Sequence, residues 1–126
     1  GLSAAASVFD RIQQGLTMEK EILYYHFQDG SEPFTKWLSN LKDRRAQALI
    51  RIRLNRLMVG NPGDSKSIGE GVFELRITNG PGYRVYFGND GEKLVIILAG
   101  GDKSTQSRDI RRAKQFWADY RKGKND

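Results

Sequence analysis

The sequence has no cysteine, a single histidine and only three prolines. The first absence removes disulfides, thiolate nucleophiles and cysteine-based zinc sites, and makes a reducing, cytoplasmic address the expectation. His26, set among aromatic residues in the run KEILYYHF, offers at most one imidazole and reads as structural. Asp64, Glu70, Asp90 and Asp102 fall in turns without a ligand spacing, so neither a metal nor another cofactor is expected. Long hydrophobic runs are missing as well. The longest, Leu94 to Ala99, has strand length and falls far short of the ~18 residues of a membrane span, so no membrane association is expected. A chain of 126 residues supports one hydrophobic core.

Acid is scarce relative to base: 15 Asp and Glu stand against 21 Lys and Arg, a formal charge of +6. Anionic partners are favoured. The excess is concentrated in two tracts, Lys42 to Arg56 and Arg108 to Lys124, which could line one face as a nucleic-acid footprint.

Residues 1–17, GLSAAASVFDRIQQGLT, precede a methionine and lack the basic start and sustained apolar stretch of a secretory signal. They read as an appendage or an artificial leader, leaving 18–126 as the domain. Within it, the β-rich run Lys20 to Phe27 predicts a first strand. Ser31 is the expected N-cap of a short helix carrying Phe34, Trp37, Leu38 and Leu41, and Asp43 opens a longer basic helix that Gly60-Asn-Pro-Gly63 ends. Three strands follow, Gly71 to Ile77, Tyr83 to Phe87 and Lys93 to Ala99, joined by hairpin-type turns. Ser104 or Thr105 can cap a last helix whose apolar stripe runs through Ile110, Ala113, Trp117 and Tyr120. The expected order is β-α-α-β-β-β-α, an α+β fold.

The stretch NPGDSKSIGEGVFELRITNGPGYRVYFG, followed by ILAGGDKSTQSRDIRRAKQFW, resembles the addiction-module killer proteins, HigB-like members of the RelE/ParE toxin superfamily. The resemblance covers Met18 to about Lys122. It implies a small, mainly antiparallel four-stranded sheet with the helices packed on one face. It also implies a type II toxin held in a hetero-oligomer by a cognate antitoxin, of helix-turn-helix type in HigB-like pairs. RelE-like members cut messenger RNA on the ribosome, a metal-independent endoribonuclease reaction in which the 2′-hydroxyl attacks the neighbouring phosphate and translation stops. ParE-like members share the fold and instead bind and inhibit DNA gyrase without an enzymatic step, so fold alone leaves both targets open.

In-line attack needs cations on the phosphate and a path for two protons. Strand alternation puts Phe73, Leu75 and Ile77 on one face and Glu74 and Arg76 on the other, with Arg84 and Tyr86 opposing Tyr83, Val85 and Phe87. Arg76 and Arg84 could therefore pair across a hairpin and share one phosphate. The resemblance sets both at cationic catalytic positions and Lys103 at another phosphate-stabilising one. Lys103, Ser104 and Thr105 lie where Gly100-Gly101 leads into the last helix, a place for a phosphate on open backbone amides, although the spacing is not that of a Walker loop. Tyr86 is the candidate base, with its pKa expected to be drawn down by the arginines, and Lys66 could share acid work. Arg44, Arg45 and Arg51 are candidate RNA contacts on the basic helix. The sequence departs from the best-known RelE pattern at Glu74, where a second strand lysine is expected, and at Asp109, where a late tyrosine would fall.

Overall fold

The computed structural model describes residues 19–125, so the reading of 1–17 lies outside the described residues. Strand β1 is Glu21–Tyr24, alternately exposed and half-buried, as a strand at a sheet margin should be. Pro33 opens helix α1, Pro33–Asn40, where its fixed φ suits the first helical position and its missing N–H costs nothing. The residue at the N-cap is Glu32 and not Ser31. Ser31 instead gives its backbone N–H and its hydroxyl to Asp29 Oδ1, at 2.9 and 2.6 Å, closing the preceding turn. Helix α2, Arg44–Met58, begins at Asp43, whose carboxylate accepts from the Ala46 N–H at 3.0 Å, a cap worth roughly 1 kcal/mol. It gives way at Gly60, where φ is +86°, a left-handed conformation free of Cβ strain only in glycine.

The remaining strands are β2 (Ser65–Gly69), β3 (Val72–Ile77), β4 (Tyr83–Asp90) and β5 (Leu94–Gly101). They form one sheet in the order β1-β5-β4-β3-β2, in which β1 runs parallel to β5 and every other pairing is antiparallel. The α+β class stands, but the sheet has five strands, not four. The additional one, Ser-Lys-Ser-Ile-Gly, is short and largely exposed at the edge, a polar segment that hydrophobic patterning reads as a turn.

The helices also divide differently from the expectation. Helices α1 and α2 bury Phe34, Leu38, Ile50 and Leu54 against Leu75, Val85, Phe87 and Ile97. After a 3-10 turn at Lys103–Thr105, helix α3 (Gln106–Asn125) covers the opposite face, setting Ala113 and Trp117 on Val72, Tyr86, Ile96 and Leu98. Helices therefore pack on both faces rather than one, and the basic tracts of α2 and α3 lie on opposite sides of the sheet. The reason is visible in β5, where Val95 through Leu98 are all buried in succession, as a strand covered from both sides must be. Gly88 admits the closest approach of α3: a Cβ there would lie 2.6 Å from the Trp117 ring.

Among the described residues, no helix is long and apolar enough to cross a membrane.

Candidate functional site

The strand register lays the expected site residues in two adjacent rows on the α3 face. Arg76 stands opposite Arg84, which stands opposite Gly101. One step along the strands, Lys66, Glu74, Tyr86 and Ala99 form the second row. Residues paired across strands share a face, so each row is a line of neighbouring side chains. Lys103 joins the first row from above. Its N–H bonds the Pro81 carbonyl at 3.3 Å, and its Cβ and Arg84 Nη1 both lie 3.4 Å from where a Gly82 side chain would begin. The hairpin end thus gathers Arg76, Arg84 and Lys103, and Gly82 leaves the space between the last two open.

The two arginines are held differently. Arg84 has a side chain only 12% exposed; its Nε lies 3.6 Å from Glu74 Oε2 and its Nη1 donates to the Gly82 carbonyl at 3.2 Å. Arg76, 36% exposed, bonds Asp64 Oδ1 through Nη2 at 2.9 Å and Nε at 3.2 Å. An ion pair so open to water contributes about 0–1 kcal/mol and yields readily to a stronger anion, whereas Arg84 is fixed in place.

Glu74 and Tyr86 are fully buried under α3, where alternation alone predicts a wet face. A buried carboxylate is costly unless bonded. Glu74 Oε2 accepts from Gln106 Nε2 at 2.6 Å and from the Tyr86 hydroxyl at 3.2 Å, while its Oε1 has no partner. This setting corrects the expectation for Tyr86. Burial first, then the charge of Glu74 and the bond to it, push its phenol up, outweighing the downward pull of Arg84. Tyr86 therefore stays protonated and serves as a donor to Glu74.

The helix mouth is also corrected. Asp102 caps the 3-10 turn, its Oδ1 accepting from the Ser104 N–H at 2.8 Å and the Ser104 hydroxyl at 2.6 Å, while the Thr105 hydroxyl bonds the buried Asp109. The chain's own carboxylates fill the donors that an incoming phosphate was expected to use. Lys103 remains exposed, as does Lys66 on the edge strand. Arg44, Arg45 and Arg51 are exposed on α2 and are not brought together with the strand arginines, because α2 lies across the sheet from them. His26 is exposed just past β1, with Nδ1 3.0 Å from the Phe27 carbonyl oxygen.

Sequence reasoning missed three residues that shape the site. Gln106 carries no motif, and only the buried acid below it shows its purpose. Asp64 was read as a plain turn residue. Arg53 donates to the carbonyls of Arg76, Pro62 and Asp64, tying α2 to the loop behind the site; its place within a basic tract made it look like one more surface charge.

The tyrosines bear on stability in alkali. Tyr25 donates to Asp119 and Tyr120 to Asp90, each at 2.7 Å, and burial first, then the accepting carboxylate, raises both phenols from 10.0 to about 12. The folded chain then holds these protons more tightly than the unfolded one, so their contribution is complete below pH 10 and is lost as pH climbs toward 12. We expect the melting temperature to fall across that window, and a Tyr25→Phe/Tyr120→Phe double variant to fall less steeply. An identical slope in both proteins would refute the assignment.

Fold and site together describe a small basic α+β domain with a cation row at one end of its sheet. Residues 36–117 match the family of phage-derived Gp49-like proteins (DUF891), and the chain belongs to that family, one of the toxin–antitoxin type. It is also similar to a Haemophilus influenzae protein described only as uncharacterized, with 58% identity over 81 residues, covering 64% of this chain and 82% of that one. Family membership points to the toxin of a toxin–antitoxin pair and implies an antitoxin partner.

Proposed function

We propose that this chain is a HigB-like member of the RelE/ParE superfamily and acts as a ribosome-dependent endoribonuclease on messenger RNA, inhibiting translation and arresting growth. One observation carries the reading: Arg76 and Arg84 stand opposite each other on β3 and β4, with Lys103 beside Arg84 across Gly82. A phosphate set on this row would meet Arg84 already fixed, and would draw Arg76 from its solvent-exposed bond to Asp64. The 2′-oxygen forms its bond to phosphorus as the bond to the 5′-oxygen breaks, leaving a 2′,3′-cyclic phosphate and a 5′-hydroxyl. The Lys103 ammonium supplies the proton to the leaving oxygen, and the 2′-hydroxyl proton passes to solvent. Tyr86 acts from behind, holding Glu74 in place for Arg84. Lys66 borders the row and contacts a flanking phosphate, while Ser104 and Thr105, whose hydroxyls are bound to Asp102 and Asp109, hold the turn that carries Lys103. Arg44, Arg45 and Arg51, on the far side of the sheet, face ribosomal RNA. A helix-turn-helix antitoxin completes a hetero-oligomer by covering the row.

The test is to induce the chain in cells and in translation extracts and to map transcript ends with ribosomes present and absent, alongside a gyrase supercoiling assay. We expect new ends bearing a 2′,3′-cyclic phosphate only where ribosomes are present, with supercoiling untouched. Inhibited supercoiling without new ends would overturn the reading in favour of a gyrase-binding toxin.

A further inference from the structure

A second concavity opens at the sheet margin beside the cation row. Strand β1 pairs with β5 no further than Ile97, so among the described residues Ala99, Gly100 and Gly101 continue without a strand on that side. They line a cleft of about 390 Å³ walled by Lys36 and Trp37 of α1 and by Arg108 and Arg112 of α3. That volume falls within the range of pockets that enclose small ligands. The cleft neighbours the cation row: Gly101, which lines it, pairs with Arg84, and Asp102 and Lys103 follow directly along the chain.

Its surfaces suit a nucleotide. Its glycines let two side chains sit close on the strand: the Trp37 ring lies against Gly100 and the Asp109 carboxylate against Gly101, each where a Cβ would collide. Trp37 is held edge-on to Tyr83, with ring centres 6.2 Å apart, and presents a rigid aromatic wall to the cleft. Arg108 and Arg112 approach the same oxygen of buried Asp109 at 3.4 and 3.6 Å, and Arg112 lies 5.3 Å over the Phe116 ring. Asp109 and Asp102 supply two carboxylates against Arg108, Arg112 and exposed Lys36, so one net positive charge remains at the rim. Unpaired RNA bases are recognised by aromatic surfaces and guanidinium planes, and their phosphates by cations. An acidic peptide would use the cations but leave the Trp37 wall without a partner.

Resting on the endonuclease reading, we propose that this cleft seats the nucleotide next to the one being cut, its base against Trp37 and its phosphate on Lys36, Arg108 and Arg112. The sequence has two tryptophans, so Trp117→Phe leaves Trp37 as the reporter. A trinucleotide blocked by 2′-O-methyl groups should quench its fluorescence saturably, and Lys36→Glu should weaken that binding roughly tenfold. In the otherwise wild-type chain, Lys36→Glu and Arg108→Gln should raise KM for RNA and leave kcat within about twofold, as expected for groups that bind ground and transition states equally; this measurement also serves if Trp117→Phe fails to fold. Quenching without any RNA cutting would support the seat and sink the nuclease reading. Cutting with neither quenching nor a change in KM would overturn the seat, as would tighter binding of a hexaglutamate peptide than of the trinucleotide.

Discussion

Arg84→Ala is expected to slow messenger-RNA cutting in a translation extract by about 10²- to 10³-fold, the usual loss when one preorganised donor to a reacting centre is removed. The same change lowers stability, because Arg84 is the cation nearest the fully buried Glu74, and a buried carboxylate left without its counter-charge is costly. The two effects can be separated. Glu74→Gln keeps the side-chain shape and removes the buried charge, so the Arg84→Ala/Glu74→Gln pair should regain much of the lost melting temperature while cutting stays slow. If the pair recovers both, Arg84 acts through the fold alone. If Arg84→Ala cuts at the normal rate, the cation row is not the reacting site.

Trp117→Ala is expected to cost about 3–5 kcal/mol, a large share of the ~5–15 kcal/mol by which a domain is stable. The indole is 5% exposed, lies against Gly88 and Gly71, and stacks on Tyr120 with centroids 5.5 Å apart. The residues the ring faces, Gly88 and Gly71, have no side chains to fill the space it leaves. We expect a melting temperature lower by more than about 10 °C in thermal denaturation. Trp117→Phe should lose much less: it keeps the ring contact and removes an indole N–H that is buried without a hydrogen-bond partner, and such a donor itself costs about 1–3 kcal/mol. Equal losses in the two variants would show that the contact of the ring with Gly88 and Gly71 is not what holds α3 down.

The parts of the fold legible in the sequence were those with a strong local signal. Asp43 at the start of α2 and the apolar alternation of Leu75, Ile77, Val85 and Phe87 each state their structure within a few residues, and the glycines around Tyr83 mark the hairpin. Strand β2 does not, since Ser65 to Gly69 gains strand character only from its hydrogen bonds to β3. The apolar stripe of α3 was readable, but its choice of face was not. That choice depends on Gly88 and Gly71 making room for Trp117, a contact between residues far apart in the chain. The same gap explains the site. Alternation correctly set Glu74, Arg76, Arg84 and Tyr86 on one face, yet the cover of α3 turned Glu74 and Tyr86 from wet to buried and reversed the expected influence on the phenol.

The parallel pairing of β1 with β5 has a bearing on how the chain is made. Lys20, just ahead of β1, bonds the Glu92 carbonyl 72 residues later, so β1 waits without its sheet partner until β5 has been synthesised. Lys103 and Gln106 come later still. A ribosome adds about 5–20 residues per second, and contacts this distant in sequence close slowly. Between the synthesis of Arg84 and that of Lys103, the nascent polypeptide carries both strand arginines with no α3 to cover Glu74 and no Lys103 beside them. On the proposed reading, the cation row is therefore assembled only after Lys103 has been added, and competence to cut trails the synthesis of both strand arginines.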